Sequence, residues 1–259
     1  MKEGTNKSHL PPLGWARIIL KDYIHIAARI GWRGLKKDEY LSEGPLLLAV
    51  RDILENGTIN YDVTDHLSEF RYNESPEIQL KDNDILVSKD GTIGRIGFVE
   101  NLPERVTVNS SILVVRSPLA ILPKFLFYYF KGPKFQDVVK KKITGSTVPH
   151  LFQYDIKKFQ IDVPPFTEQH RIVTKIEELF TKLDAGVESL REVKAQLQRY
   201  RQAVLKHAFE GKLTEEWRKS HKHEIEPATT LLEHIKEERK KKEKGKYKEL
   251  PPLDTSDLP

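Results

Sequence analysis

One stretch limits what this chain can fold into more than any other. Residues 167–213, TEQHRIVTKIEELFTKLDAGVESLREVKAQLQRYRQAVLKHAFEGKL, place apolar side chains at Ile176, Leu179, Leu183, Leu190, Val193, Leu197, Tyr200 and Val204. They step by threes and fours, with Gly186 in the one missing slot and Val187 beside it. This is an a/d seam of period 3.5 over about four heptads, flanked by Glu, Lys, Arg and Gln. Pro164-Pro165 end whatever precedes it, Thr167 can cap the first turn and Gly211 can close the last. A helix of this length reaches roughly 60 Å. A monomer of this size cannot cover such a seam, so a partner helix is implied. Gly186 is expected to mark a close helix crossing or a local bend.

The totals agree with one folded domain diluted by a long solvated helix and a polar tail. Of 259 residues, 38% are apolar and 31% charged, and this low apolar fraction leaves room for a single core. A net charge of +5 points weakly to a polyanionic partner and is also compatible with an ordinary basic excess. Cysteine is absent, which excludes disulfides and thiolate metal sites. No apolar run approaches the roughly 18 residues of a membrane span, and MKEGTNKSHL lacks a signal-peptide core. A cytoplasmic location without membrane contact is expected.

In chain order, residues 1–10 read as a flexible polar start. Trp15, Ile18 and Leu20 anchor a first strand or turn, YIHIAARI follows, and GPLLLAV (residues 44–50) reads as a buried strand. Asn56-Gly57-Thr58 marks a turn. Residues 84–88 and 93–99 read as a hairpin around Asp90-Gly91, and residues 106–115 as a further strand. Pro123 opens a helix that breaks at Gly132-Pro133 and resumes. A short helix near residues 151–158 and the strand FQIDV complete the domain. The expected fold class is α+β: a mixed domain over 11–166, a long coiled-coil helix over 167–212, and a charged tail over 213–259. The tail holds a second helix whose apolar stripe is Leu231, Leu232 and Ile235, then a Pro-rich linker.

No catalytic constellation emerges. Gly91, Gly94 and Gly97 spell GxxGxxG between strands, which suits turns rather than a dinucleotide loop. Val163-Pro-Pro-Phe166 resembles an amino-methyltransferase box but has Val where the substrate-binding Asn or Asp belongs. Asp155-Ile-Lys157 lacks the acidic partner of a nuclease metal site, so Asp155 reads as a cap or surface residue. His207 sits next to the seam, and His221 and His223 alone are weak evidence for a metal. We expect no catalytic residue, no metal and no cofactor of the chain's own.

Three blocks, DILVSKDGTIGRIGFV, TGSTVPHLFQYDIKKFQIDVPPFTEQHRIV and AVLKHAFEGKLTEEWR, resemble the specificity subunit of type I restriction–modification systems, in that family's order. The combination of PPxxEQxRIV entering a long helix with a GKLTxxWR exit is specific. The resemblance spans residues of about 10 to 259. It implies a target-recognition domain followed by a spacer helix, binding to double-stranded DNA, docking of methyltransferase subunits that carry S-adenosylmethionine and flip out an adenine, and an R subunit as an open addition. Family members hold two such domains with their helices paired antiparallel; here there is one of each, and LDTSDLP stands where a second LPPLGW-like opening would begin. A half-length form working as a homodimer on an interrupted palindrome is therefore expected.

On that reading, the candidate phosphate contacts are Arg33, Lys36, Lys37, Lys134, Lys140, Lys141 and Lys142, and the candidate base readers are Lys89, Arg95, Ser146, Thr147, His150 and Gln153. The lysine run equally suits a solvated helix C-terminus, and Ser146 and Thr147 equally suit turn chemistry. Two other readings stay open: a protein-only coiled-coil scaffold, and a fragment of a fused restriction–methylation enzyme.

Overall fold

A computed structural model describes residues 10–29, 35–36, 39–103, 105–144 and 150–242. The chain divides into two units, residues 1–183 and 184–259. The fold is α+β, as expected.

The first unit is built around one antiparallel sheet of order β2-β8-β5-β6, formed by β2 (His25–Ala28), β8 (Ile112–Arg116), β5 (Ile85–Ser88) and β6 (Ile96–Phe98). The strands ILVS and ILVVR are apolar at successive positions, so both faces must be covered. Ile85, Val87, Leu113 and Val115 face one core, filled by Phe125, Phe127 and Phe130 of α2 (Pro123–Lys131), Phe135 of α3 (Pro133–Thr144) and Ile156 of α4 (Gln153–Lys157). Leu86, Ile112 and Val114 face a second core with Leu48, Val106 and Val108. Those three come from a smaller sheet of order β4-β3-β7: β4 (Asp65–His66), β3 (Leu41–Leu48) and β7 (Val106–Val108). Between β4 and β5 lies α1 (Glu69–Asn73).

Residues 106–115, expected as one strand, form two strands in different sheets. β7 runs parallel to β3, the chain turns at 109–111, and β8 enters the central sheet. Asn109 makes this corner: its N–H donates to Leu48 O at 2.9 Å, and its Oδ1 accepts the Ser111 N–H at 3.0 Å. The buried strand read at 44–50 starts earlier, at Leu41, because Gly44 (φ +117°) lets the register shift. A Cβ there would lie 2.6 Å from Leu67 O.

The first and last strands of the domain pair with each other: β1 (Ala16–Ile19) runs antiparallel to β9 (Gln160–Val163). Arg17 and Lys134 both reach Asp162, at 2.7 and 3.2 Å. The hydrogen bond from Arg17, helped by Lys134, holds the Asp162 carboxyl below the usual carboxylate range.

α5 (Phe166–Phe209) is one helix of 44 residues. It begins one residue before the expected cap, so Thr167 lies within the first turn, and Pro165 O instead accepts the N–H groups of Glu168 and Gln169 at 2.8 and 3.0 Å. Its first turns dock on the α+β domain. Val173 joins the main core, Gln169 is 1% exposed, Lys124 bridges Glu100 and Glu177 at 2.8 and 2.9 Å, and the rings of Tyr128 and Phe180 meet edge-on at 6.0 Å. Trp15 donates from Nε1 to Glu168 at 3.2 Å.

In the second unit α5 ends at Phe209, and Gly211 adopts the left-handed conformation (φ +71°) that closes a helix. α6 (Glu215–Ser220) and α7 (Ala228–Lys242) follow, with Leu231, Leu232 and Ile235 of α7 exposed. Among the described residues no helix is long and apolar enough to cross a membrane.

Candidate nucleic-acid interface

The loop between β5 and β6 runs over residues 89–95, longer than a two-residue hairpin turn at Asp90-Gly91, and it is pinned at both ends. Ser88 Oγ accepts the Arg95 N–H at 2.8 Å and donates to Thr92 O. Gly94 N–H returns to Ser88 O at 2.9 Å, and Lys89 N–H donates to Ser111 O at 2.8 Å. Gly91 and Gly94 take positive φ, which supplies the curvature. α3 closes one side of the loop, with Gln136 Nε2 donating to Gly94 O at 3.0 Å. The exposed tip is Gly91 and Thr92.

A second segment lies against this loop. Leu151 N–H donates to Lys89 O at 3.1 Å, and His150 Nδ1 pairs with Asp90 Oδ1. Leu151 and Ile156 are fully buried anchors, with Gln153 half-buried at the start of α4. Asp155 accepts the Phe152 N–H at 3.1 Å and pairs with Lys142 Nζ at 2.8 Å, which joins the end of α3 to α4. Asp155 is thus a cap. Lys140 and Lys141 lie exposed on the same last turns of α3.

The structure therefore brings Lys89, His150, Gln153 and Lys142 into one neighbourhood of linked loop and helix ends. Arg95 leaves it: its guanidinium donates to the carbonyls of Val50 and Ile53 at 3.4 and 3.0 Å, bracing the loop from behind. Lys134 points to Asp162. Lys36 is exposed, and its backbone N–H donates to Glu39 at 2.7 Å; the carboxyl of Glu39, hydrogen-bonded by Arg71 and by that N–H, is held at about 2. Arg33, Lys37, Ser146 and Thr147 lie outside the described residues. Asp90, Phe152, Tyr154 and Lys158 border the same neighbourhood through ring and ion contacts that sequence spacing does not announce. In sequence Asp90 marks only a turn, and an aromatic in or beside a short helix carries no mark of which way it faces.

The seam is exposed over most of its length. Leu190 is 70% and Tyr200 66% exposed, and Leu179, Leu183, Val193 and Leu197 are exposed as well, with Ile176 and Val204 half-buried. Leu190, Val193, Lys194, Leu197, Gln198 and Arg201 line one shallow groove. α5 runs unbroken through Gly186, where a Cβ would meet nothing within 4 Å. His207 is exposed rather than packed, and His221 stacks on Trp217 at 5.0 Å. Among the described residues no group of three His, Cys, Asp or Glu could hold a metal.

The model of a family described as the type I restriction modification DNA specificity domain matches residues 16–198, from β1 into α5. The type I restriction enzyme EcoBI specificity subunit of Escherichia coli is 30% identical over 246 residues, covering 92% of this chain and 50% of that protein. The EcoKI specificity subunit of Escherichia coli K12 is 24% identical over 211 residues, covering 80% and 45%. The crystal structure of the HsdS subunit from Thermoanaerobacter tengcongensis has the same fold, with a TM-score of 0.58 at 20% identity over 79% of this chain and 47% of that one. The chain spans about half the length of these relatives. The match takes in the α+β domain and the start of the long helix, and the chain belongs to the type I restriction–modification DNA specificity family.

Proposed function

We propose that this chain reads one half of a bipartite DNA target and docks methyltransferase subunits, working as a homodimer on an interrupted palindrome. The observation that carries the reading is the family match over residues 16–198, which takes in the α+β domain together with the first part of α5. The pinned loop 89–95 and the Lys142–Asp155 joint support a preformed reading edge, since rigid loops lose little entropy on binding. The lysines at the end of α3 suit phosphate contacts that hold register, while Lys89, His150 and Gln153 suit base edges. The exposed seam supports antiparallel pairing of two copies about a twofold axis, an isologous contact. Two recognition domains spaced by the paired helices would face half-sites one to two turns apart, a B-DNA turn being about 34 Å. S-adenosylmethionine would be bound by the methyltransferase partner.

The test is DNA binding by the full chain to a random-sequence duplex pool at several salt concentrations. Selective enrichment of a bipartite motif, with affinity falling steeply as salt rises, is expected. Retention of no motif at any salt would sink the reading in favour of a protein-only coiled-coil scaffold.

A further inference from the structure

We propose that Phe152 is an apolar base reader, packing on the C5-methyl group of a thymine in the major groove, with Tyr154 and Lys158 against the adjoining backbone. The inference rests on the DNA-reading function proposed above. Phe152 is 58% and Tyr154 60% exposed, between the fully buried anchors Leu151 and Ile156. Their outward direction is set by construction. Leu151 is held by Lys89 O and by the core, Phe152 N–H by Asp155, and Asp155 by Lys142. The Phe152 ring lies 4.5 Å from that of His150, which pairs with Asp90 of the pinned loop. The Phe152 ring keeps more than half of its surface open at this edge.

Charge indicates what covers it. Residues 140–158 contain five lysines and one aspartate, and Lys158 Nζ sits 4.0 Å over the Tyr154 ring. A polyanion fits such a rim better than an apolar protein surface does. Within duplex DNA, the apolar feature of the major-groove base edges is the thymine methyl group. A phenylalanine beside polar readers such as Gln153 and His150 therefore has a specific target.

The experiment compares the full chain with Phe152→Ala and Phe152→Leu on the selected duplex, and on duplexes in which each half-site thymine is replaced singly by deoxyuridine. Wild type is expected to lose about tenfold in affinity on one deoxyuridine duplex. Phe152→Ala should lose about as much on the thymine duplex, show no further loss on that deoxyuridine duplex and keep the wild-type salt dependence; Phe152→Leu should fall between. Circular dichroism checks that the exposed substitutions leave the fold unchanged. Wild-type binding with a clear motif but no effect of Phe152→Ala, or a Phe152→Ala loss that adds to every deoxyuridine loss, would overturn the inference while leaving the DNA-reading function standing. Absence of any motif in wild type would sink both.

Discussion

Gln169, in the first turn of α5, accepts the backbone N–H of Leu122 at 2.7 Å. Its Nε2 donates to Ala120 O and Pro164 O, each at 3.1 Å, so one amide satisfies three backbone groups where helix meets domain. With Glu168 held by Trp15, the Glu-Gln pair of the PPxxEQxRIV block is a structural joint between the first turn of α5 and the α+β domain. Gln169→Ala should leave those groups without their partner at a largely buried joint, at about 2–3 kcal/mol. A melting temperature lower by about 4–10 °C is expected from a thermal circular-dichroism scan. A change within 1 °C would remove this role.

The loop glycines are not equivalent. A Cβ on Gly94 would lie 2.6 Å from Val139 Cγ1, whereas one on Gly91 would meet nothing within 4 Å, and both residues have positive φ. Gly91→Ala should cost the left-handed strain of about 1–2 kcal/mol. Gly94→Ala should cost at least twice that, since α3 must move as well. Urea midpoints measure the difference, and equal midpoints would contradict the packing of α3 on the loop.

Acid should loosen the pairing of the first and last strands. The folded-state pKa of Asp162 is depressed by Arg17 and Lys134, so its stabilising contribution is complete above its unfolded value of about 3.9 and is lost as pH falls through the lower folded value. Asp162→Asn should lower the urea midpoint at pH 7 and shrink the further loss of stability below about pH 4. An unchanged acid limb in the variant would assign that limb to other carboxylates.

The parts of the fold legible in sequence were those with local signals. The 3.5-residue period marked α5 and its seam, Pro123 and Gly132-Pro133 marked α2 and α3, and Gly211 marked the helix end. The split of 106–115 was not legible, because VTV and ILVVR have the same β-rich composition, and only the corner at Asn109 assigns them to different sheets. The candidate interface was legible as a set of polar loops but not residue by residue. Lys89 and His150 converge through backbone and ring contacts that no spacing announces, while Arg95 is drawn inward by two carbonyls 42 and 45 positions away.

Replacing Leu190 and Leu197 with Glu places charges in the exposed groove of the seam. Self-association should weaken by more than about a hundredfold, since each buried leucine contributes roughly 1.5–3 kcal/mol. The domain's thermal transition should not move. Sedimentation equilibrium reads the first and circular dichroism the second. An unchanged solution mass would exclude the seam as the interface between copies.

The most direct test of the central claim is a map of methylated adenines after incubating DNA with a cognate methyltransferase subunit, with and without this chain. The account predicts methylation only when the chain is present, at one interrupted palindrome. Identical maps with and without the chain, or methylation confined to an asymmetric site, would contradict it.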